Sequence, residues 1–378
     1  MVVPTGKIFI VCSSYKPNIA PTNRLISFLR GLDELEVETQ VSFIYPNETR
    51  DKMDVAGLSH IHVDYLWKDG DRSNKLMKYL LSFIAAKRYA RHLEKGANVL
   101  LFGGSEYAPF FTRRKDINVY QERTEHYRVV KMRPVLLQHR YLKAIPHFKG
   151  MFVISTALRE AYLEAGAKNV VIVNMTVDAN RFKGLKKSVG VEPYIAYCGT
   201  ASNNKDGVDD LIKAFAIVHK EFPCIKLYII GRAPGKQDAS GNRELVSSLG
   251  LDEYVIFKGV IPANEMPQML KNAAIVALAR PDSLQAKCGF PTKLGEYLLS
   301  QNPVVVTKVG DIPLFLEDGK TALLAEQKNP EDFASRIIWA LHNPELAAAI
   351  GLEGSKVALR KFNYLTEVKK IVATILAN

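Results

Sequence analysis

Four cysteines stand in this chain, Cys12, Cys198, Cys224 and Cys288, and no two of them have the spacing of a zinc site or a redox pair. Free, reduced thiols of a cytosolic protein are therefore expected, not a disulfide framework. No apolar run approaches the roughly 20 residues that cross a bilayer. Met1 to Gly6 is too short to be a leader before the apolar Lys7–Cys12, so no signal peptide is expected. Neither a Gly-x-Gly-x-x-Gly turn nor a Walker spacing occurs, and the missing glycine fingerprint argues against a dinucleotide oxidoreductase. No internal repeat or low-complexity tract stands out. A soluble, cytoplasmic protein of bacterial type is the expectation.

The chain has 378 residues, 47% of them apolar, which is too long for one ordinary core and ample for two. Charge is uneven. Residues 72–149 hold 17 Lys and Arg against 5 Asp and Glu, an excess of 12 that equals the net charge of the whole chain. Such a segment attracts anionic surfaces, phospholipid headgroups or nucleic acid, or is simply a solvated basic face. It carries no recognised nucleic-acid module and is interrupted by apolar helix positions, so nucleic acid is not expected as a partner.

Along the chain, Lys7–Cys12 reads as a first strand, followed by a helix carrying Leu25, Phe28, Leu29 and Leu32, and Val41–Tyr45 as a second strand. Residues 46–75 read as polar and irregular, with Asp69-Gly70-Asp71 a turn rather than a metal motif. Lys75–Leu93 has helical spacing, with Leu76, Tyr79, Leu80, Phe83 and Ile84 on one side. That side is expected either to pack on a sheet or to lie against a membrane. Strands follow at Val99–Phe102, Ile117–Tyr120 and Met151–Ile154. The second half alternates strands (Tyr194–Cys198, Lys226–Ile230, Val255–Phe257, Ile275–Ala279, Pro303–Thr307, Ala322–Leu324) with helices such as Val208–Glu221 and Pro267–Asn272. Apolar strands alternating with helices mean a parallel sheet covered on both faces. The reading is thus α/β, two Rossmann-like doubly wound domains facing a central cleft, with ligands at the carboxyl ends of the strands. Residues 183–192 read as the linker, giving domains at 1–187 and 188–360 and a terminal segment, 361–378, helical over Phe362–Leu376.

Cys288–Pro303, CGFPTKLGEYLLSQNP, concentrates the chemistry. Pro291 suits a first helical turn, Leu294, Tyr297 and Leu298 recur at helical spacing, and the helix is expected to start near Thr292. Its first amides with Lys293 make an anion site, and Glu296, one turn on, is a hydroxyl acceptor beside it.

PTKLGEYLLSQNPVVVT, with IPLFLEDGKTALL after it, resembles the signature of the retaining glycosyltransferases of family 4, which have the GT-B fold. VISTALREAYLEAGAKNVVIVNMTVDANRF is similar to that family's end of the first domain, with Asn174, Asp178 and Phe182 on its marked positions. The resemblance is strongest over residues 150–330. Glu296 falls on the second Glu of the family's paired glutamates, which binds the nucleotide ribose, and Cys288 stands where the first should be. After Gly199, Lys205 keeps the Lys that grips the donor diphosphate, while Thr200 replaces its Arg. Arg280, at the end of Ile275–Ala279, is the expected substitute cation.

The resemblance further implies that backbone near Gly231 and Val260–Ile261 meets base and ribose, with Arg232 beside it. Because Pro291 cannot donate and Cys288 cannot replace a carboxylate, the sugar's contacts are expected from the Gly289 and Phe290 amides or from the other domain. Glu125 and His126 are expected to face the transferred sugar from the first domain, with the loop around Asn18–Arg24 near the donor. The terminal helix is expected to cross back to the first domain. The implied activity is metal-independent transfer, with retention, from a UDP- or GDP-sugar to a glycan or lipid-linked acceptor, the nucleotide sugar being substrate and no further cofactor being needed. Cell-surface polysaccharide synthesis, with the protein peripheral on the inner face of the membrane through residues 72–149, is the implied setting. A nucleotide-sugar epimerase of GT-B architecture, or a degenerate nucleotide-sugar-binding protein, is the alternative.

Overall fold

A computed structural model describes residues 6–17, 19–45, 52–67, 74–130, 135–232 and 235–376. Asn18 and the Asp69-Gly70-Asp71 turn lie outside the described residues. The chain divides into two compact units, Met1–Asn174 with Tyr364–Asn378, and Met175–Asn363.

The first unit is built on β1 (Ile8–Cys12), β2 (Thr39–Phe43), β3 (Ile61–Tyr65), β4 (Asn98–Phe102), β5 (Asn118–Arg123), β6 (Gly150–Val153) and β7 (Val170–Ile172). They form one parallel sheet in the order β3-β2-β1-β4-β5-β6-β7. The central strands are apolar on both faces because helices cover both. β3 lies in the stretch expected to be irregular: Ile61 is buried while His62 and Asp64 point outward, the alternation of an edge strand.

The first helix begins at Ala20, so Ala20–Arg24 is helix, not loop. Arg24 is almost wholly buried. Its Nε donates to Glu122 Oε1 at 2.7 Å, and its other nitrogens donate to the carbonyls of Val173 (2.8 Å) and Asn174 (2.7 Å). One guanidinium thus ties this helix to β5 and to the chain leaving β7. The terminal helix, Tyr364–Leu376, packs Val368, Ile371, Val372 and Ile375 into the same core as Leu25, Phe28 and Leu29. Its Glu367 accepts from the Asn174 amide at 2.7 Å.

The Lys75–His92 helix turns the opposite way from the packing reading. Lys78, Ser82, Ala85, Ala86 and Ala90 are its buried side, whereas Leu76, Leu80 and Ile84 are exposed and Tyr79 and Phe83 half-buried. Small side chains let the backbone approach closely enough for the Tyr107 hydroxyl to donate to Ser82 Oγ at 2.8 Å.

The second unit carries β8 (Tyr194–Cys198), β9 (Lys226–Ile230), β10 (Val255–Gly259), β11 (Ile275–Leu278), β12 (Val304–Thr307) and β13 (Leu323–Ala325) in the parallel order β10-β9-β8-β11-β12-β13. Its boundary falls at Asn174/Met175, earlier than the expected 187/188, because the following stretch packs on this unit. The Val177 amide donates to Phe362 O at 3.1 Å. A Cβ on Gly295 would lie 2.1 Å from Val177 Cγ1, so only glycine admits the contact. At the far end Phe362, expected in the last helix, closes the preceding one, and the unit ends at Asn363, not 360.

Arg24→Ala leaves Glu122 as an uncompensated buried charge and is expected to destabilise the first unit by about 3–5 kcal/mol, with Glu122→Gln costing less. Urea unfolding followed through Trp67, in a Trp339→Phe background, reads it. An unchanged midpoint would refute the assignment.

Candidate functional site

The carboxyl ends of β8, β9 and β10 are joined by bare backbone. Gly199 N–H donates to Ile230 O at 2.8 Å, Gly231 N–H to Gly259 O at 2.7 Å, and Ala201 N–H to Arg232 O at 2.8 Å. Gly231 has φ +122°, and a Cβ there would sit 1.9 Å from the Gly199 carbonyl oxygen, so neither strand end can carry a side chain at this crossing.

Over this floor stands Lys293. The helix Lys293–Leu299 is held to β8 by Tyr297, whose hydroxyl donates to Cys198 O at 2.7 Å and accepts from Cys198 N–H at 2.6 Å. Lys293 Nζ reaches Asp206 Oδ2 at 2.5 Å and the Tyr197 hydroxyl at 3.0 Å. It lies so close to Gly199 that a Cβ there would come within 2.2 Å of it. Its side chain is 17% exposed, and burial lowers its pKa from the ordinary lysine value against the pull of Asp206.

Asp206 ends the short Asn203–Asp206 helix and is only 1% exposed. Its second oxygen faces Arg280 Nη1 at 3.5 Å. Burial alone would raise the Asp206 pKa, but Lys293, with Arg280 behind it, outweighs burial and holds the carboxyl below its ordinary value. Burial, with Asp206 adding to it, pushes the Tyr197 hydroxyl well above the ordinary tyrosine range, so it stays protonated. Two cations share one carboxylate, leaving the cluster with a formal excess of one positive charge. That is the electrostatics of an anion site.

Arg280 is not the open cation expected. It is wholly buried, and its Nη2 donates to Ala286 O at 3.0 Å and Gly289 O at 3.2 Å. Nor does it pair with Asp282, which is taken by Lys287 at 2.5 Å. Its place is behind Asp206, where it cannot touch a bound anion. The Gly289 amide is likewise engaged, donating to Gln285 O at 3.0 Å, because Leu284–Cys288 forms a short helix. The Phe290 ring is buried among Phe315 and Phe362. Thr292 is the N-cap, without a side-chain cap bond, of a helix only seven residues long, so the charge at this end comes chiefly from Lys293.

Glu296 pairs with Arg181 Nη1, and Arg181 Nη2 donates to Ala263 O at 2.7 Å. Burial raises the Glu296 pKa against the pull of Arg181. Lys205 is half-buried on the Asn203–Asp206 helix, and Thr200 is exposed with its carbonyl accepting from Tyr197 at 2.7 Å. Arg232, exposed, follows β9, and Val260, also exposed, and Ile261 follow β10.

Glu125 and His126 belong to the other unit, just past β5. His126 is buried and its Nδ1 accepts from the Arg128 amide at 3.0 Å, while burial, with Arg128 adding to it, lowers its pKa. Sequence reasoning missed Tyr197, Asp206, Tyr297 and Arg181. Asp206, in Lys-Asp-Gly at a strand-to-helix turn, and Arg181, in the Arg-Phe after Asp178, were the legible signals among them.

This pair of units is the GT-B fold. A crystal structure of Anabaena Alr3699/HepE in complex with UDP superposes with a TM-score of 0.75 at 16% identity, covering 98% of this chain and 100% of that one. The same protein has also been solved with UDP-glucose. Residues 192–343, which contain the whole second sheet, match the family of glycosyl transferases group 1.

Among curated relatives is the GDP-mannose-dependent alpha-(1-6)-phosphatidylinositol monomannoside mannosyltransferase of Mycolicibacterium smegmatis, 28% identical over 43% of this chain and 42% of that protein. Another is the D-inositol 3-phosphate glycosyltransferase of Segniliparus rotundus, 25% identical over 51% and 44%. The matched stretch spans less than half the length of either relative.

Because the folded Asp206 pKa lies below its unfolded value near 4, its contribution to stability is complete above about pH 4 and lost as the pH falls below that. Urea unfolding of the second unit, followed through Trp339 in a Trp67→Phe background, should show this acid loss, and Asp206→Asn should flatten it. An identical acid slope in the variant would overturn the assignment.

Proposed function

We propose that the protein is a glycosyltransferase that moves a sugar from a UDP- or GDP-sugar to a glycan or lipid-linked acceptor, with retention, in the assembly of a cell-surface polysaccharide at the inner face of the membrane. The observation that carries the reading is the Lys293 ammonium, held by Asp206 over side-chain-free backbone at the ends of β8 and β9, with one positive charge left uncompensated. The family match over residues 192–343 supports it, as do the names of the relatives, a GDP-mannose-dependent enzyme acting on a phosphatidylinositol mannoside among them.

In this reading the donor diphosphate lies along the backbone of Gly199 and Thr200, beside Lys293. Lys293 and Lys205 take the negative charge that develops as the anomeric carbon parts from the phosphate oxygen. A fixed cation acts most strongly where that charge appears. Asp206 and Arg280 keep Lys293 aimed and do not touch the donor. Glu296, oriented by Arg181, accepts from the ribose hydroxyls, and backbone beside Gly231 and Val260–Ile261 meets the base. The acceptor oxygen bonds to the anomeric carbon on the face the phosphate leaves, and its proton passes to the departing phosphate. Charge is thus handled by lysines, and the metal independence implied by the family resemblance is kept. Glu125 and His126 are assigned to the transferred sugar on the resemblance alone.

Saturation-transfer NMR with UDP-, GDP- and dTDP-sugars, with slow donor hydrolysis followed in the same tubes, tests the reading. Lys293→Met is expected to lower turnover by about 10- to 100-fold, equivalent to about 1.4–2.8 kcal/mol. Arg243→Ala, exposed on another helix, should match the wild type. Unchanged binding and turnover in Lys293→Met would refute the site, and conversion of the donor sugar without acceptor or hydrolysis would favour an epimerase.

A further inference from the structure

The exposed face of the Lys75–His92 helix is divided lengthwise. Leu76, Leu80, Ile84, Lys87 and Arg91 follow one another at steps of three and four and so form one stripe, with Met77 and Arg88 beside it. The first half is aliphatic and open to solvent: Leu76 is 68%, Leu80 51% and Ile84 58% exposed. The second half is wholly basic, and Lys87, Arg88 and Arg91 are all exposed.

A second helix of the same unit, Val135–Ala144, repeats the arrangement. Val135 and Leu136 at its start are exposed, 78% and 61%, and Arg140 and Lys143 follow. Neither helix carries one acidic residue. Both begin at the carboxyl edge of the first sheet, since each runs back to start a parallel strand, β4 or β6. Both pack on the segment Ser105–Thr112, where Phe83 meets Tyr107 at 5.1 Å between ring centres and Phe110 at 6.0 Å. The aliphatic starts of the two helices therefore share one edge of the unit.

We infer that this edge docks on an anionic lipid bilayer, the aliphatic side chains entering the interface and the lysines and arginines lying at the headgroups. Exposed aliphatic groups beside charges of one sign suit a surface that is itself apolar beneath and negative above. A second copy of this chain would set basic residue against basic residue. Nucleic acid would gain nothing from leucine and isoleucine. Among the described residues no helix is long and apolar enough to cross the membrane, so the contact is in the plane of the surface. The inference deepens the proposed function by favouring the lipid-linked acceptor, but its observations lie in the first unit alone.

Co-sedimentation of the full chain with vesicles tests it, using phosphatidylglycerol mixed with phosphatidylcholine against phosphatidylcholine alone, at low and at high salt. The protein is expected to partition onto the anionic vesicles at low salt, at least tenfold more than onto the zwitterionic ones, and to be released by salt. Leu80→Glu/Ile84→Glu should cut the partition at least tenfold, and Lys87→Glu/Arg88→Glu should cut it and weaken its salt dependence. Absence of binding to anionic vesicles overturns the inference. So does wild-type binding by the Leu80→Glu/Ile84→Glu protein, which would place the contact on basic residues elsewhere. Thermal unfolding of each variant shows that it is folded. Donor binding measured without vesicles separates this result from the nucleotide-sugar reading, because either can fail while the other stands.

Discussion

One buried carboxylate organises the second unit. Asp206 is out of water, and a charge there is tolerable only if it is paired. Lys293 meets one oxygen and Arg280 stands across from the other, so three separate stretches, the turn after β8, the end of β11 and the Lys293–Leu299 helix, are drawn to one point. Arg280 passes the constraint on to the carbonyls of Ala286 and Gly289, fixing the loop that leads into that helix. Lys293, partly exposed, lies over glycine backbone, and the cluster keeps a formal excess of one positive charge. The proposed anion site is thus a by-product of satisfying an interior charge.

The first unit solves a related problem differently. Arg24 and Glu122 are both interior, and the other two guanidinium nitrogens each donate to a backbone carbonyl, so the charges cancel one for one within the core. Two buried ion pairs, similar in pairwise geometry, therefore have opposite consequences. One is neutral within a core, and the other has two positive partners for one negative group and so a formal excess of one positive charge.

The helix Lys75–His92 shows how pattern can mislead. Its leucines recur at helical spacing, which ordinarily marks the packed face. The packed face is instead mostly small, Ser82, Ala85, Ala86 and Ala90 with Lys78 at its start, and it lies close enough to Tyr107 for that hydroxyl to bond Ser82. Hydrophobicity placed the stripe, and steric fit decided which stripe goes inward.

Much was legible beforehand. Alternation of apolar runs with helical spacing determined two parallel-sheet units, and Tyr194–Cys198, Lys226–Ile230 and Val208–Glu221 carry in the structure the bounds read from the residues. These follow from local periodicity, which needs no neighbour. β3 escaped notice because an edge strand shows water every second residue. Lys293 and Glu296 were recognisable as site candidates from their place in a motif. The roles of Asp206, Arg181 and Arg280 were not, since a charge on paper carries no sign of its burial or its partner. Arg280 read as an open cation and is an interior strut. Sequence by itself determined most of the elements, their order and the chemistry available. Tertiary structure alone decided which charges neutralise one another and which one faces out, because pairing depends on distances between residues as far apart in the chain as Asp206 and Lys293.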